Sequence, residues 1–254
     1  MEAPDVPHYV AELRYFGDGM SQVVAYRSDL LPRRRHGERG PSRPRAEMRE
    51  EDQVRSLARS RRELTSKVIM LRADHMLTLT YRENKTDLAE CWLDVGRWER
   101  MMQNKYPGFA FVIAPERQQR GAWHFHVATR GRFDYNMVRY LWRKSIRSDL
   151  FLDQRGNIDG RPSPRGGPAW RVIALASYLA KYMIKSQAFV DSINARRYSC
   201  SKGIREPQRV RFYLPLSDSS FLQLVRVVSV ASPHGVRRRF EVAGPMPVIW
   251  LSSF

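Results

Sequence analysis

His124 and His126 stand two residues apart in the stretch Ala122 to Thr129, whose alternating pattern reads as a β-strand. A period of two projects both imidazoles from one face of a sheet. Trp123, Phe125 and Val127 then point to the other face, where apolar bulk suits a helix-packed core. Paired imidazoles are a metal-ligand pattern in a way that a lone histidine is not. Metal chemistry at a phosphodiester also asks for a hard ligand. Glu116 ends the preceding strand, and a tight turn at Gln118 to Gly121 would fold it back beside the histidines. Taken alone, Glu116 is equally a surface carboxylate at a strand end. Two imidazoles and a carboxylate leave coordination positions for water or a phosphate oxygen.

A second group lies in Ser177 to Lys185, SYLAKYMIK. Tyr178 and Tyr182 are four apart, so on a helix both hydroxyls leave by one face. Lys181 and Lys185 each follow a tyrosine by three residues and share that face. Leu175, Ala176, Leu179 and Met183 supply the opposite, packing side. Tyrosines at this spacing commonly fill a core or an interface. The repeated Tyr-x-x-Lys sets them apart, because a core helix would place leucine there. A phenol is a weak nucleophile, and nearby ammonium groups stabilise the phenolate charge and can hold a phosphate.

The elements that must position these groups begin near Ala73. A strand is expected over His75 to Tyr81, a helix from about Asp87 to Lys105, and buried strands over Phe109 to Ala114 and Ala122 to Thr129. A second helix, capped by Asp134, runs to Arg147, and a third spans about Ala169 to Phe189. Gln154 to Gly167, rich in Gly, Pro and Arg, reads as a loop or loose hairpin. This order points to an antiparallel sheet backed by helices on one face, an α+β fold. Ala46 to Lys67 reads as an exposed helix. Strands at Val210 to Leu214, Val236 to Val242 and Val248 to Leu251, with a helix over Ser217 to Val230, make up most of the C-terminal stretch. The expected division is a flexible basic arm over 1–47, a helix over 48–72, an endonuclease domain over 73–205 and an extension of open role over 206–254.

The chain has 44 Lys and Arg against 26 Asp and Glu, a net charge of +18 that attracts polyanions, of which nucleic acid is the commonest. Arg33, Arg34 and Arg35 sit in a Pro-Gly-Arg run over 31–45 that cannot bury apolar surface; it reads as a phosphate-binding arm or a solvated linker. Cys91 and Cys200 are too far apart for a CxxC knuckle and suggest no disulfide framework. Neither a signal peptide nor an apolar run long enough to span a bilayer is evident, so the expected setting is the cytoplasm, without a membrane partner. No GxxxxGK[ST] occurs, so a built-in helicase motor is not expected.

Together these motifs resemble the HUH superfamily of rolling-circle replication initiators, in particular its phage and plasmid members. His75 to Tyr81 is similar to the Thr-bearing first motif, and Gly121 to His126 to the histidine–hydrophobic–histidine second motif. Tyr178 to Lys185 is similar to the third, in the two-tyrosine form of the microvirus A proteins. The resemblance covers about Asp74 to Ile204. It implies a ferredoxin-like or RRM-like antiparallel sheet with the metal on the open face and the tyrosine helix beside it. It further implies Mg²⁺ or Mn²⁺ held by Glu116, His124 and His126, with Tyr178 and Tyr182 as nucleophiles helped by Lys181 and Lys185. The expected act is the nicking and rejoining of single-stranded origin DNA in a bacterial host cell, with helicase and polymerase supplied by the host. Basic residues expected on the DNA are Arg33, Arg34, Arg35, Arg120 in the turn, and Arg196, Arg197 and Lys202 after the tyrosine helix. A single-tyrosine transposase or relaxase, a non-haem iron oxygenase and a basic binding module without chemistry are the alternatives.

Overall fold

The computed structural model describes residues 6–30, 50–147, 156–162, 168–187, 196–230, 237–243 and 246–252. In chain order the elements are β1 (His8–Gly17), β2 (Met20–Arg27), α1 (Glu50–Leu71), β3 (His75–Tyr81), α2 (Leu88–Lys105), β4 (Phe111–Arg117), β5 (Trp123–Thr129) and α3 (Tyr135–Ser145). Then come β6 (Gly156–Pro162), α4 (Pro168–Gln187), β7 (Ser199–Cys200), β8 (Gln208–Pro215), α5 (Asp218–Val230), β9 (Arg237–Ala243) and β10 (Met246–Ser252). They divide into two compact units: Met48–Glu206, and Met1–Glu47 together with Pro207–Phe254. No described helix is long and apolar enough to cross a membrane.

In the central unit, β3-α2-β4-β5-α3-β6 forms a split βαβ pair, and its sheet runs β6-β3-β5-β4-β7 with antiparallel neighbours. This is the α+β, ferredoxin-like sheet that the sequence implied. Helices α2 and α3 start where Asp87 and Asp134 accept hydrogen bonds from backbone N–H groups of the first turn. They bury Val95, Trp98, Met102, Val138 and Trp142 against Leu77, Leu79, Phe111, Ile113, Phe125 and Val127 of the sheet. The opposite face carries Met76, Val112 and Ala128, all buried, and α1 and α4 pack together against it over β4 and β5. Helices therefore cover part of the histidine face as well as the face expected.

Three expectations change. Helix α1, read as exposed, buries Leu64, Val68 and Ile69, because α4 gives it a partner that sequence periodicity does not show. The stretch read as a loop or loose hairpin contains β6, an edge strand paired with β3 along its whole length. Its glycines are there for packing: a Cβ on Gly156 would stand 2.7 Å from Ile146 Cδ1 and 2.8 Å from Trp142 Nε1 of the α3 layer. The third change concerns the expected arm over 1–47, which includes the hairpin β1–β2. The turn joining those strands places Gly17, Asp18 and Gly19 at φ 84, 52 and 72°, a left-handed run that suits Gly and Asp. Arg33, Arg34 and Arg35 lie outside the described residues.

The hairpin belongs to the second unit, whose sheet runs β8-β1-β2-β10-β9. Helix α5 seals one face of it by packing Leu224 on Ala11, Val23 and Ala25.

Trp98 is the largest fully buried side chain, and its indole N–H has no hydrogen-bond partner. Trp98→Ala is expected to cost about 3–5 kcal/mol through the cavity it leaves. Trp98→Phe should cost much less, since no hydrogen bond is lost. Denaturant midpoints of the two variants check this.

Candidate active site

Register fixes the site. Across the sheet one row reads Asn157, Thr80, His124 and Glu116, and the next reads Asp159, Thr78, His126 and Ala114. Paired residues of antiparallel strands project to the same face, so both histidines, both threonines and Glu116 share one surface. The turn at Gln118 to Gly121 folds β4 back on β5 through Gly121 N–H donating to the Gln118 carbonyl at 2.9 Å, with Gly121 at φ 92°. Glu116 is thereby set directly opposite His124.

The two rings are held differently. His126 is buried, with Nε2 2.8 Å from Glu116 Oε2 and Nδ1 3.2 Å from the Thr78 hydroxyl. A hydroxyl can donate or accept, so Thr78 can serve either tautomer. His124 Nδ1 lies 2.9 Å from the Gln118 amide, while its Nε2 is buried without a hydrogen-bond partner. Burial, then the neighbouring His126, push the His124 pKa down to about 4; Glu116 opposes this only in part. In the metal-free protein His124 is neutral at pH 7.

Helix α4 brings the tyrosines to this surface. The Tyr182 ring stacks on His126 with centroids 3.7 Å apart and planes 19° from parallel. Tyr178 meets Tyr182 edge to face at 4.8 Å, and the Tyr182 hydroxyl donates to that of Tyr178. The two differ in access: Tyr182 is 9% exposed and Tyr178 37%. Lys181 is exposed; Lys185 is on α4, with its side chain outside the described residues.

The structure thus brings together Glu116, His124, His126, Tyr178 and Tyr182. The remaining basic residues are mostly engaged within the protein. Arg120 donates to the Tyr81 carbonyl at 2.9 Å and to Gln118 Oε1 at 3.1 Å. Arg196 lies 5.0 Å from the Trp92 ring centroid and bonds Ser199, Arg197 bonds Ser56, and Lys202 is exposed. Sequence reasoning did not single out Gln118, which was taken only as part of a polar turn. Its position six residues before His124, across a tight hairpin, was the available signal.

A divalent cation is what two imidazoles and a carboxylate on one surface would suit, and the unpartnered, buried His124 Nε2 fits that reading. As they stand, however, no group of three or more His, Cys, Asp or Glu side chains among the described residues is arranged to hold a metal ion. The Glu116–His126 hydrogen bond occupies two atoms that a cation would take.

The His124 shift has a consequence for stability in EDTA. The folded ring binds its proton less readily than the unfolded chain does at the ordinary value of 6.5. Stability should be unaffected by this group above pH 6.5, and fall as the pH drops from 6.5 towards 4. His124→Asn is expected to flatten that part of the profile, and NMR titration of the ring should find its midpoint near 4.

Residues 74–187 match the family model of a replication-associated protein, ORF2. No curated protein and no solved structure matches the chain. The matched span runs from the residue before β3 to the end of α4 and contains both histidines, Glu116 and both tyrosines. This part of the chain is similar to a replication-initiator family.

Proposed function

We propose that this protein starts rolling-circle replication by nicking single-stranded DNA through a tyrosine ester and later rejoining the strand. The observation that carries this reading is the stack of Tyr182 on His126, with the Tyr178 hydroxyl bonded to that of Tyr182. More than 50 residues separate the two motifs, yet the fold sets a pair of phenols against a pair of imidazoles. The match of 74–187 to replication-associated proteins supports the biological setting.

Tyr178 is the better placed nucleophile, because its hydroxyl is exposed while Tyr182 is buried. Its oxygen attacks the scissile phosphorus in line; the Tyr–O–P bond forms and the bond to the 3′ oxygen breaks. The phenolic proton is lost to solvent, and the leaving oxygen gains one to become a free 3′-OH that can prime a host polymerase. The products keep the phosphodiester energy, so a later attack by a 3′-OH reseals the strand without ATP. Lys181, three residues after Tyr178 and exposed, is placed to pair with a phosphate oxygen. Mg²⁺ or Mn²⁺ held by Glu116, His124 and His126 would supply Lewis-acid stabilisation of the charge that builds at the phosphate. Thr78 and Gln118 orient the two rings. Tyr182 is the second nucleophile, and it supports Tyr178 by donating to its oxygen.

Incubation with Mn²⁺ and a pool of labelled single-stranded oligonucleotides should give a covalent protein–DNA adduct that mass spectrometry maps to Tyr178. Tyr178→Phe/Tyr182→Phe should give none. His124→Ala/His126→Ala should slow cleavage about a hundredfold or more, the size expected when several kcal/mol of charge stabilisation is lost. A wild type without an adduct, or a double phenylalanine variant with one, overturns the mechanism.

A further inference from the structure

The row that carries Glu116 and His124 continues through Thr80 to Asn157, and a cavity of about 470 Å³ opens there. Thr80, Arg82, Arg143 and Asn157 line it. Its volume falls in the roughly 300–1,000 Å³ range of small-ligand sites. Arg139 and Arg143, one turn apart on α3, clasp the exposed edge of β6: Arg143 Nε donates to the Gly156 carbonyl at 3.0 Å, and Arg139 Nε to Asn157 Oδ1 at 3.0 Å. Thr80 donates to the Asn157 carbonyl at 3.1 Å.

None of Arg82, Arg139 and Arg143 has an ion-pair partner among the described residues, and Arg82 is exposed. Each of the two α3 guanidiniums is oriented through its Nε, which leaves terminal N–H groups to meet an anion in forked geometry. Charges placed merely to protect an edge strand would serve equally well on mobile side chains. Here two are fixed in place beside a cavity that shares a residue row with the histidines.

We propose that this cavity is a subsite for a nucleotide of the single strand next to the one that is cut. Arg82 and Arg143 hold its phosphate, and Thr80 and Asn157 meet its polar edges. The subsite rests on the nicking reading for its ligand, but binding there needs no chemistry.

The test is fluorescence anisotropy with a labelled single-stranded DNA 12-mer, in EDTA, across a salt series. Arg82→Ala should weaken binding about tenfold at low salt, the size of one lost charged hydrogen bond. It should also reduce the slope of log K against log salt by about 0.7. Arg82→Ala/Arg139→Ala should lose more. Arg100→Ala, which removes the same charge from exposed α2 surface, should stay within about twofold of wild type. Wild-type affinity and slope in the Arg82 variants, a loss no larger than that of Arg100→Ala, or a wild type that does not bind the strand overturns the subsite. A wild type that binds with these Arg82 effects yet forms no tyrosine adduct supports the subsite and overturns the nicking mechanism.

Discussion

Strand β5 is the constraint on which the site depends. Its odd-numbered residues, Trp123, Phe125 and Val127, are locked into the core with α2 and α3, and that commitment leaves His124 and His126 on the other surface. A slip of one residue would exchange the two sets, burying imidazoles among apolar side chains and exposing two aromatic rings. The histidines are therefore held in place by their neighbours' hydrophobicity more than by their own contacts. The same constraint sets Glu116 opposite His124 and Thr78 opposite His126, because each is read from the β5 register by β4 or β3.

The end of β3 is secured separately. Buried Asp94 accepts hydrogen bonds from the Tyr81 hydroxyl at 3.0 Å, from Lys85 at 2.7 Å and from Arg97. Arg97 in turn donates to the Ser145 carbonyl at the end of α3. Burial and these acidic surroundings raise the Tyr81 pKa well above that of an ordinary phenol, so this tyrosine serves as a donor and remains protonated. A polar knot on the α2 side thus fixes the strand end from which Thr80 faces the site.

The central sheet was legible because each of its strands declares a face. His75 to Tyr81 alternates, and β5 alternates with different chemistry on its two sides. The tyrosine helix was legible from its spacing, although spacing cannot say that Tyr182 is buried on His126 and Tyr178 is not; that depends on how α4 lies across β4 and β5. Strand β6 was hidden because its glycines, needed for the close approach of α3, resemble loop residues in sequence. The N-terminal hairpin was hidden by the basic run that follows it, which drew the whole segment into an expected arm. Its alternating residues around Gly17-Asp18-Gly19 carried the signal.

The second unit takes β1 and β2 from one side of the central unit in sequence and β8, β9 and β10 from the other. Within its sheet β1 bonds β8 and β2 bonds β10, so both outer edges of the hairpin wait for strands made after residue 207. During synthesis at roughly 5–20 residues per second, the ribosome completes all of Met48–Glu206 while the hairpin's edges remain unpaired. The central unit can thus finish folding first, and closing the outer sheet becomes the last event in making the protein.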